Sequence, residues 1–406
     1  MSNLNFKNTN ALYIHVPFCS SKCPYCDFYS IKYEQKRVDH YWAALFMELE
    51  EIYQKTENKL LQTIYIGGGT PSLIDSNYLY LLLKKIKNKF NVTPTAEITI
   101  EVNPTSINEE KLIAFRRAGI NRLSVGIQSF NDQYLNFLGR KSSRKRNIEV
   151  LKLINQYFNN YSADLIFALP DQKLNQFRRD LKKLLDFNPP HISLYNLEIH
   201  PETEFYEKYN KGELKLPSEE SDAEMYQLAQ EILLKNNYQH YEISNFAKKG
   251  YRARHNYIYW LYQPYLALGP GASGFDGERR YQNPGDIDQY IEHYNSNKIS
   301  FKEMNHINLL SRTENINQSN NKFRKINNIN KKEQMAEYSF LALRTEAGLF
   351  FHKFYLRFKE DFKKIYKDSI SELKEKALIT EKNNRIFLTA RGKELANEVF
   401  IKFLAE

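Results

Sequence analysis

Cysteine is scarce in this chain. Of 406 residues three are cysteines, and all three lie in one short segment, at Cys19, Cys23 and Cys26. An odd, clustered set excludes the disulfide framework of a small secreted domain. Long apolar runs are also absent, which argues against a membrane span or a signal peptide and predicts a cytoplasmic protein. In a reducing compartment, clustered cysteines indicate a metal site or redox chemistry.

A concentrated basic surface is missing as well. The net charge is +10, from 58 Lys and Arg against 48 Asp and Glu, but the lysines are scattered along the chain. Nucleic-acid binding requires a dense basic stripe or a known binding motif, so no nucleic-acid partner is expected. The surplus charge is typical of a solvated surface, and a basic cleft for an anionic ligand is the alternative.

The chain does contain a regular alternation of strand-like and helix-like segments. Helical periodicity covers 34–55, 144–157 and 174–186, and a further helix is predicted to start at an N-cap, Ser106. This alternation predicts an α/β fold with a parallel sheet, and six repeats fit either a partial (β/α)6 barrel or a doubly wound sheet. Both folds place their chemistry at the carboxyl ends of the strands. The predicted strands are 11–16, 63–66, 97–103, 122–130, 163–170 and 191–199.

Changes in composition divide the chain into four predicted regions. Residues 311–333 are rich in Asn, Lys and Ser with little apolar periodicity, which predicts an exposed, disordered insertion. After it, a helix, two short strands around Asn383–Asn384 and another helix predict a mostly helical, winged-helix-like domain. Such a domain either binds DNA or serves as a packing module. The regions are a partial barrel at 1–240, a linking region with an aromatic, polar segment and a Gly-rich loop at 241–310, the insertion at 311–333 and the carboxy-terminal domain at 334–406.

The cysteine segment has the spacing Cys19-x-x-x-Cys23-x-x-Cys26 and follows the first predicted strand. Thiolates bind zinc or iron–sulfur clusters. Three thiolates would leave one iron of a 4Fe-4S cluster open to a small molecule, and this is the favoured interpretation. The alternative is a structural zinc site with His15 as the fourth ligand, although such sites usually draw on two chelating loops and the chain has no second cysteine loop.

Seven segments together resemble the radical S-adenosylmethionine superfamily and, within it, the oxygen-independent coproporphyrinogen dehydrogenase group. In chain order they are YIHVPFCSSKCPYCDF, GGGTPS, EVNP, VGIQSF, DLIFALP, YEISNFA and GPGASG. The resemblance implies a radical-SAM partial barrel and a 4Fe-4S cluster whose open iron is chelated by S-adenosylmethionine. It also implies that an electron from the cluster can cleave the sulfonium of that cofactor.

The resemblance assigns cofactor-binding roles to residues at the strand ends. Gly68, Gly69 and Thr70 are expected to offer backbone N–H groups and a hydroxyl to the methionine end of S-adenosylmethionine. Glu101 is expected to bind the ribose or the amino group. Taken singly, each residue also fits a structural role, as a turn glycine, a helix cap or a strand-end side chain. The full set is Tyr13, Gly68, Gly69, Thr70, Glu101, Gln128, Arg140 and Asp164.

Two features separate the branches of this group. The dehydrogenases carry a cysteine two residues after the last cluster cysteine, where this chain has Phe28. The hexapeptide HNYIYW at 255–260 fits an H-N-x-x-Y-W pattern associated with heme binding in the heme chaperone branch. Histidine is a common axial ligand of heme iron and aromatic rings can line a porphyrin face, although a packed aromatic corner is the alternative. The predicted heme site comprises His255, Asn256, Tyr259 and Trp260, with Arg252 and Arg254 as partners for the propionates.

The resemblance thus implies a heme chaperone that carries a 4Fe-4S cluster with exchangeable S-adenosylmethionine and passes heme to an unidentified acceptor protein. The alternative is an oxygen-independent coproporphyrinogen III dehydrogenase, which decarboxylates propionates by radical chemistry. The residues leave open whether radical turnover occurs in this chain. A DNA-associated role for the carboxy-terminal domain is a third option.

Overall fold

The computed structural model describes residue 6, residues 9–294 and residues 323–404. The strands are β1 (Ala11–Val16), β2 (Phe18–Cys19), β3 (Ile31–Lys32), β4 (Leu60–Gly68), β5 (Asn91–Val102), β6 (Arg122–Gln128), β7 (Tyr161–Phe167), β8 (His191–Asn196), β9 (Gln239–Glu242), β10 (Asn245–Ala247), β11 (Leu266–Leu268), β12 (Ser273–Phe275), β13 (Arg279–Gln282), β14 (Lys325–Asn328), β15 (Leu349–Phe350), β16 (Ile379–Lys382) and β17 (Arg385–Leu388). The helices are α1 (Gln35–Lys55), α2 (Ser76–Lys89), α3 (Glu109–Ala118), α4 (Asp132–Phe137), α5 (Arg144–Tyr157), α6 (Leu174–Leu185), α7 (Glu204–Asn210), α8 (Glu219–Lys235), α9 (Arg254–Trp260), α10 (Ile287–His293), α11 (Lys331–Leu343), α12 (Phe351–Phe358), α13 (Phe362–Ile365), α14 (Lys367–Glu375), α15 (Ala390–Glu394) and α16 (Ala396–Ile401).

A nine-stranded sheet forms the centre of the molecule, in the order β11-β1-β4-β5-β6-β7-β8-β10-β9. The strands from β11 to β8 are parallel, whereas β10 and β9 are antiparallel additions at one edge. The six predicted strands correspond to β1, β4, β5, β6, β7 and β8, with helices between them. This confirms the α/β fold built on six strand–helix repeats.

The two faces of this sheet differ in chemistry because residues alternate along each strand. On one face, Ile64, Ile66 and Ile100 are fully buried in the main hydrophobic core. On the other face, β4 presents Thr63 and Tyr65, and the Tyr65 hydroxyl donates to a Glu101 oxygen on β5 at 2.8 Å. The face of the sheet that carries Thr63, Tyr65 and Glu101 is therefore the polar face.

The predicted boundary between residues 240 and 241 is wrong, because β9 (Gln239–Glu242) runs across it. The described part of the predicted linking region, residues 241–294, contributes strands to the central sheet. Its strand β11 pairs in parallel with β1, with Tyr13 opposite Ala267. Strands of three or four residues carry little pattern of their own and form here because an existing sheet edge supplies their hydrogen-bond partners.

The predicted disorder of 311–333 is wrong for the part that the structure describes, residues 323–333. Strand β14 pairs with β13, and α11 begins at Lys331. Arg324, almost fully buried, forms ion pairs with Glu48 at 3.0 Å and Glu51 at 2.9 Å on α1. Residues 311–322 lie outside the described residues.

The carboxy-terminal domain has its own hydrophobic core and a three-stranded sheet, β15-β17-β16. Asn383 and Asn384 have positive φ angles of 53° and 57° and form the turn between β16 and β17, as two asparagines can. The strand pair lies between α14 and α15, which confirms the predicted winged-helix-like order.

Ser106 is not the N-cap of α3. It ends a short 3-10 helix, Pro104–Ser106, and its hydroxyl donates to the Asn103 carbonyl at 2.9 Å. Asn108 is the N-cap, and its side-chain oxygen accepts from the backbone N–H of Lys111 at 2.9 Å. Asn and Ser are about equally good caps, so their rank could not decide between the two positions.

No helix in the described parts of the chain is long and apolar enough to cross a membrane.

Candidate functional site

The cysteine segment forms the loop between β2 and β3, beyond the carboxyl end of β1. Two backbone hydrogen bonds hold its ends, from Ile31 N–H to the Pro17 carbonyl at 2.7 Å and from Tyr33 N–H to the Cys19 carbonyl at 2.9 Å. The loop borders a cleft that opens to solvent. The cleft is lined by Cys19, Ser20, Ser21, Lys22, Cys23, Tyr25, Cys26, Ser30, Gly68, Gly69, Thr70, Asn103, Thr105, Gly139, Arg140 and Lys141.

The three thiols share one polar environment at the cleft wall. Cys19 Sγ lies 3.5 Å from the Thr70 hydroxyl, and Arg140 Nη1 donates to Cys23 Sγ at 3.8 Å. Burial raises the pKa of the Cys26 thiol to about 11. A thiol with a raised pKa is protonated at neutral pH, and binding of its sulfur to a metal centre displaces that proton. Three thiols beside a guanidinium fit an anionic iron–sulfur cluster better than free reactive cysteines.

The structure does not support His15 as a zinc ligand. His15 Nε2 donates to the Tyr29 carbonyl at 2.9 Å, so its Nδ1 accepts from the Tyr13 hydroxyl at 2.8 Å. Both ring nitrogens are therefore occupied by protein groups. Across the described residues, no three His, Cys, Asp or Glu side chains lie close enough together to hold a single metal ion.

Gly68, Gly69 and Thr70 line the cleft, but their backbone N–H groups are taken. The N–H of Gly68 donates to Glu101 Oε2 at 3.0 Å, that of Gly69 to a β1 carbonyl at 2.9 Å, and that of Thr70 to the Phe18 carbonyl at 2.8 Å. In this conformation the three N–H groups already have protein acceptors, and their service to the cofactor stays a prediction. Glycine is needed for close packing instead, since a Cβ at position 69 would lie 2.8 Å from the Phe18 oxygen.

Two buried carboxyl groups lie on the polar face of the sheet. Burial raises the pKa of Glu101 to about 7, and the charge of Asp164 raises it further, although hydrogen bonds from Tyr65 and the Gly68 N–H oppose this. Asp164 accepts from the hydroxyls of Ser124 and Ser162 at 3.2 Å and 3.0 Å, and burial raises its pKa too. Two neighbouring carboxyl groups with raised pKa values favour a positively charged ligand.

The remaining cofactor residues lie at the same end of the sheet. Arg140 Nη2 donates to the Gly126 carbonyl at 3.0 Å, and the Gln128 amide packs over the same glycine. Burial and the charge of Glu101 raise the pKa of Tyr13 well above its ordinary value. Of the eight predicted cofactor residues, Gly68, Gly69, Thr70 and Arg140 line the cleft, whereas Tyr13, Glu101, Gln128 and Asp164 lie on the neighbouring strands and do not line it.

His255 does not lie at the cleft. Helix α9 places it on the polar face of the sheet, 1 % exposed, with Nδ1 2.8 Å from the Thr63 hydroxyl and Nε2 2.8 Å from the Tyr259 hydroxyl. Its ring stacks on Tyr65 at 5.2 Å, and burial lowers its pKa to about 3. Thr63 precedes Gly68 by five residues of β4, which places His255 about 16 Å along the strand from the cleft.

Other residues of the predicted heme motif are also engaged with protein groups. Arg252 pairs with Glu346, and Arg254 Nη1 donates to the Thr95 carbonyl at 2.7 Å. The Trp260 ring lies under the Arg344 guanidinium at 4.5 Å. Asn256 is half-buried. The motif therefore packs between the sheet and the carboxy-terminal domain, as the alternative of an aromatic corner predicted.

Sequence reasoning did not single out nine of the sixteen cleft residues, which include Ser20, Ser21, Tyr25, Ser30 and Gly139. Asn103 follows Glu101 in the EVNP segment, so its place at a strand end was the available signal, and Thr105 is two residues further on. Lys22 and Lys141 also line the cleft. In a chain with scattered lysines, nothing in the pattern marks these two.

Comparison with known proteins agrees with these observations. The Radical SAM superfamily profile matches residues 13–184, and the HemN C-terminal domain profile matches residues 329–395. The heme chaperone HemW of Lactococcus lactis is 35% identical over 98% of this chain and 98% of its own length, and that of Bacillus subtilis is 34% identical over 97% and 99%.

The structure of coproporphyrinogen III oxidase (HemN) from Escherichia coli, a radical SAM enzyme, superimposes with a TM-score of 0.80 over 98% of this chain and 91% of that chain, at 22% identity. At this identity the likeness shows the fold alone. The full-length relatives show more, and the chain belongs to the HemW family within the radical SAM superfamily.

Proposed function

We propose that this protein is a heme chaperone that binds heme and transfers it to an acceptor protein. One observation carries the proposal: the cleft is lined by three cysteines and no fourth, with Phe28 following where the dehydrogenases have cysteine. The near full-length likeness to proteins named heme chaperones supports it. The proposed location is the cytoplasm, where thiols stay reduced and available to a cluster.

Cys19, Cys23 and Cys26 would hold a 4Fe-4S cluster at the cleft. The cluster supplies a low-potential electron and an open iron, on which S-adenosylmethionine exchanges. Arg140 offers a positive charge to the cluster sulfurs through Cys23, and the Glu101 and Asp164 carboxyl groups offer a negative site for the cationic end of the cofactor. Thr70 lines the cleft, and we expect Tyr13 and Gln128 to contribute to that site from β1 and β6.

Heme ligation by His255, with Asn256, Tyr259 and Trp260 around the porphyrin, stays a prediction. Both nitrogens of His255 are occupied in this conformation, so ligation there requires α9 to move away from β4. Arg252 and Arg254 would have to exchange their present partners for propionates.

Hemin titration of the anaerobically reconstituted protein tests the proposal. We expect a saturable shift of the Soret band, followed by transfer of the heme to an apo-acceptor. A flat titration would overturn the proposal. The same titration on chain without the cluster shows whether the cluster is needed for heme binding.

The second candidate function is coproporphyrinogen III decarboxylation, favoured by the fold likeness to the HemN structure. Anaerobic incubation with reductant, S-adenosylmethionine and coproporphyrinogen III decides between the two. Formation of protoporphyrinogen would identify an enzyme. Absence of product together with heme transfer would identify a chaperone.

A further inference from the structure

A second cavity lies at the amino end of α6, apart from the cysteine cleft. It has a volume of about 360 Å³ and is formed by the start of α6, the loop before it and the segment 215–225, which leads into α8. The cavity and the cleft have no lining residue in common. The volume is sufficient for a small organic molecule.

Gln172 provides a buried hydrogen-bond donor at this cavity. It lines the cavity, is 4% exposed, and its Oε1 accepts from the Leu169 N–H at 3.2 Å. A backbone N–H can donate only to the oxygen of an amide, so this bond fixes which end of the side chain is Nε2. Nε2 is buried and has no hydrogen-bond partner among the described residues. A buried donor without an acceptor costs free energy, which a ligand oxygen would recover.

The first turn of α6 adds backbone donors. The helix begins at Leu174 with Lys173 as its N-cap, and no side chain caps it. Within the described parts of the chain, the N–H groups of Leu174 and Asn175 have no acceptor. The amino end of a helix carries a partial positive charge, and Lys173 adds a full one where a hydroxyl or carboxylate is usual. An anion bound at this end would satisfy the donors and offset both charges.

The charged side chains at the cavity balance one another. Lys173 and Lys215 line it together with Asp171 and Glu224, and all four residues are exposed. A dianion such as phosphate would be attracted by the lysines and repelled by both carboxylates. A monoanion bonded to the N–H donors loses less to this repulsion. The charge balance therefore favours a singly charged ligand.

Apolar side chains form another part of the cavity wall, namely Leu174, Leu216, Pro217 and Met225. Met225 is 1% exposed, and Leu216 packs against a hydrophobic cluster that contains Leu214. This part of the wall is therefore held by the core of the protein. An apolar wall with a few placed donors is typical of sites for organic ligands, so the ligand is expected to carry an apolar group.

We propose that this cavity binds a carboxylate that carries a short apolar body. The carboxylate oxygens accept from Gln172 Nε2 and from the Leu174 N–H, beside the Lys173 cation. The apolar body packs against Leu216 and Met225. A small free acid and the carboxy terminus of a peptide both have this chemistry. The proposal concerns a second ligand site and does not depend on what the cysteine cleft binds.

Isothermal titration calorimetry of the full, anaerobically reconstituted chain tests the proposal with two carboxylate probes. Isovalerate represents a free acid, and the peptide N-acetyl-Gly-Gly-Leu represents a chain terminus. We expect saturable binding of a carboxylate probe and about tenfold weaker binding of its uncharged amide, because the amide loses the charge-assisted hydrogen bonds. Tighter binding of the peptide would identify a chain terminus as the ligand, and equal binding would identify a small free acid.

Two variants locate the site. Gln172→Leu removes the buried donor and is expected to weaken binding about fivefold, although it also removes the acceptor of the Leu169 N–H. Lys173→Asp separates binding from folding, because aspartate is a good N-cap and its carboxylate repels the ligand. We expect this variant to lose binding without a fall in melting temperature. The matched control is Lys182→Gln, at an exposed lysine of the last turn of α6, which should bind as wild type.

Three results would overturn the proposal. The first is a flat titration of the wild-type chain with both probes. The second is equal affinity for a carboxylate and its amide, or for isovalerate and inorganic phosphate. The third is wild-type affinity in Lys173→Asp. Each of these results leaves the heme chaperone proposal intact, since hemin titration tests that proposal separately.

Discussion

Glu101 on β5 accepts a hydrogen bond from the backbone N–H of Gly68, the last residue of β4, across 3.0 Å. The bond joins two neighbouring strand ends at the mouth of the cleft. It also ties a buried carboxyl group with a raised pKa to the segment of Gly68, Gly69 and Thr70, which lines the cleft.

Glu101→Gln should make the chain without cofactor more stable at pH 8. Because burial raises the folded-state pKa of Glu101 to about 7, its stabilising protonation is complete below the unfolded pKa near 4.5 and is lost as pH rises through 7. Glutamine keeps an acceptor and carries no charge, so we expect a gain of about 1–3 kcal/mol at pH 8 that vanishes by pH 4. Urea unfolding at several pH values measures it. A gain that is independent of pH would contradict the assignment.

His255→Ala should make the free energy of unfolding depend less steeply on pH in the acid range. The folded-state pKa of His255 is lowered to about 3, so its stabilising contribution is present above the unfolded pKa near 6.5 and is lost as pH falls towards 3. Each such histidine adds a slope of about 1.4 kcal/mol per pH unit in that window. The slope of the unfolding free energy between pH 6 and pH 4 should fall by that amount in the variant. His352→Ala is the control, and equal slopes in the two variants would contradict the buried, neutral state.

Gly68→Ala should be more damaging than Gly250→Ala, although both glycines have positive φ. A Cβ at position 68 would lie 2.6 Å from the His15 ring, whereas a Cβ at position 250 meets nothing within 4 Å. The backbone conformation alone costs about 1 kcal/mol, and we expect that loss at position 250. At position 68 the clash adds to it, for a total of about 3 kcal/mol and reduced iron loading. Unfolding curves and iron content measure the difference, and equal losses would show that packing against His15 is unimportant.

Arg324→Ala should lower the unfolding free energy by about 3–5 kcal/mol. The substitution would leave Glu48, fully buried on α1, without its cationic partner. Arg37→Ala is the matched control, because the Arg37–Asp288 pair is exposed and is expected to contribute less than about 1 kcal/mol. Similar effects of the two substitutions would mean that Arg324 is not an essential buried partner.

Much of the fold was predictable from local pattern, because the six parallel strands and helices such as α1, α5 and α6 are long and strongly periodic. Strands β9, β10 and β11 could not be predicted in this way. Each has only three or four residues and forms because it pairs with a sheet edge made by distant parts of the sequence. The strand β14 was missed for the same reason, within a stretch whose composition suggested disorder.

Some residues of the candidate site could be predicted from the sequence, and others could not. The cysteines, Glu101 and Arg140 could be found because their spacing and order resemble those of a known superfamily. The burial of His255 could not, because its partner Thr63 lies far away in the sequence. A motif gives residue types and order, whereas availability for ligation depends on which distant side chains fill the same space.

The pairing of Arg324 with Tyr294 has a practical consequence. The Arg324 guanidinium donates to the Tyr294 hydroxyl at 2.7 Å, and both side chains bond to Glu51. One carboxylate of α1 therefore fastens two side chains that lie thirty residues apart in the sequence. Glu51→Gln would weaken both attachments with a single substitution, which makes Glu51 a convenient position for loosening this corner of the molecule on purpose.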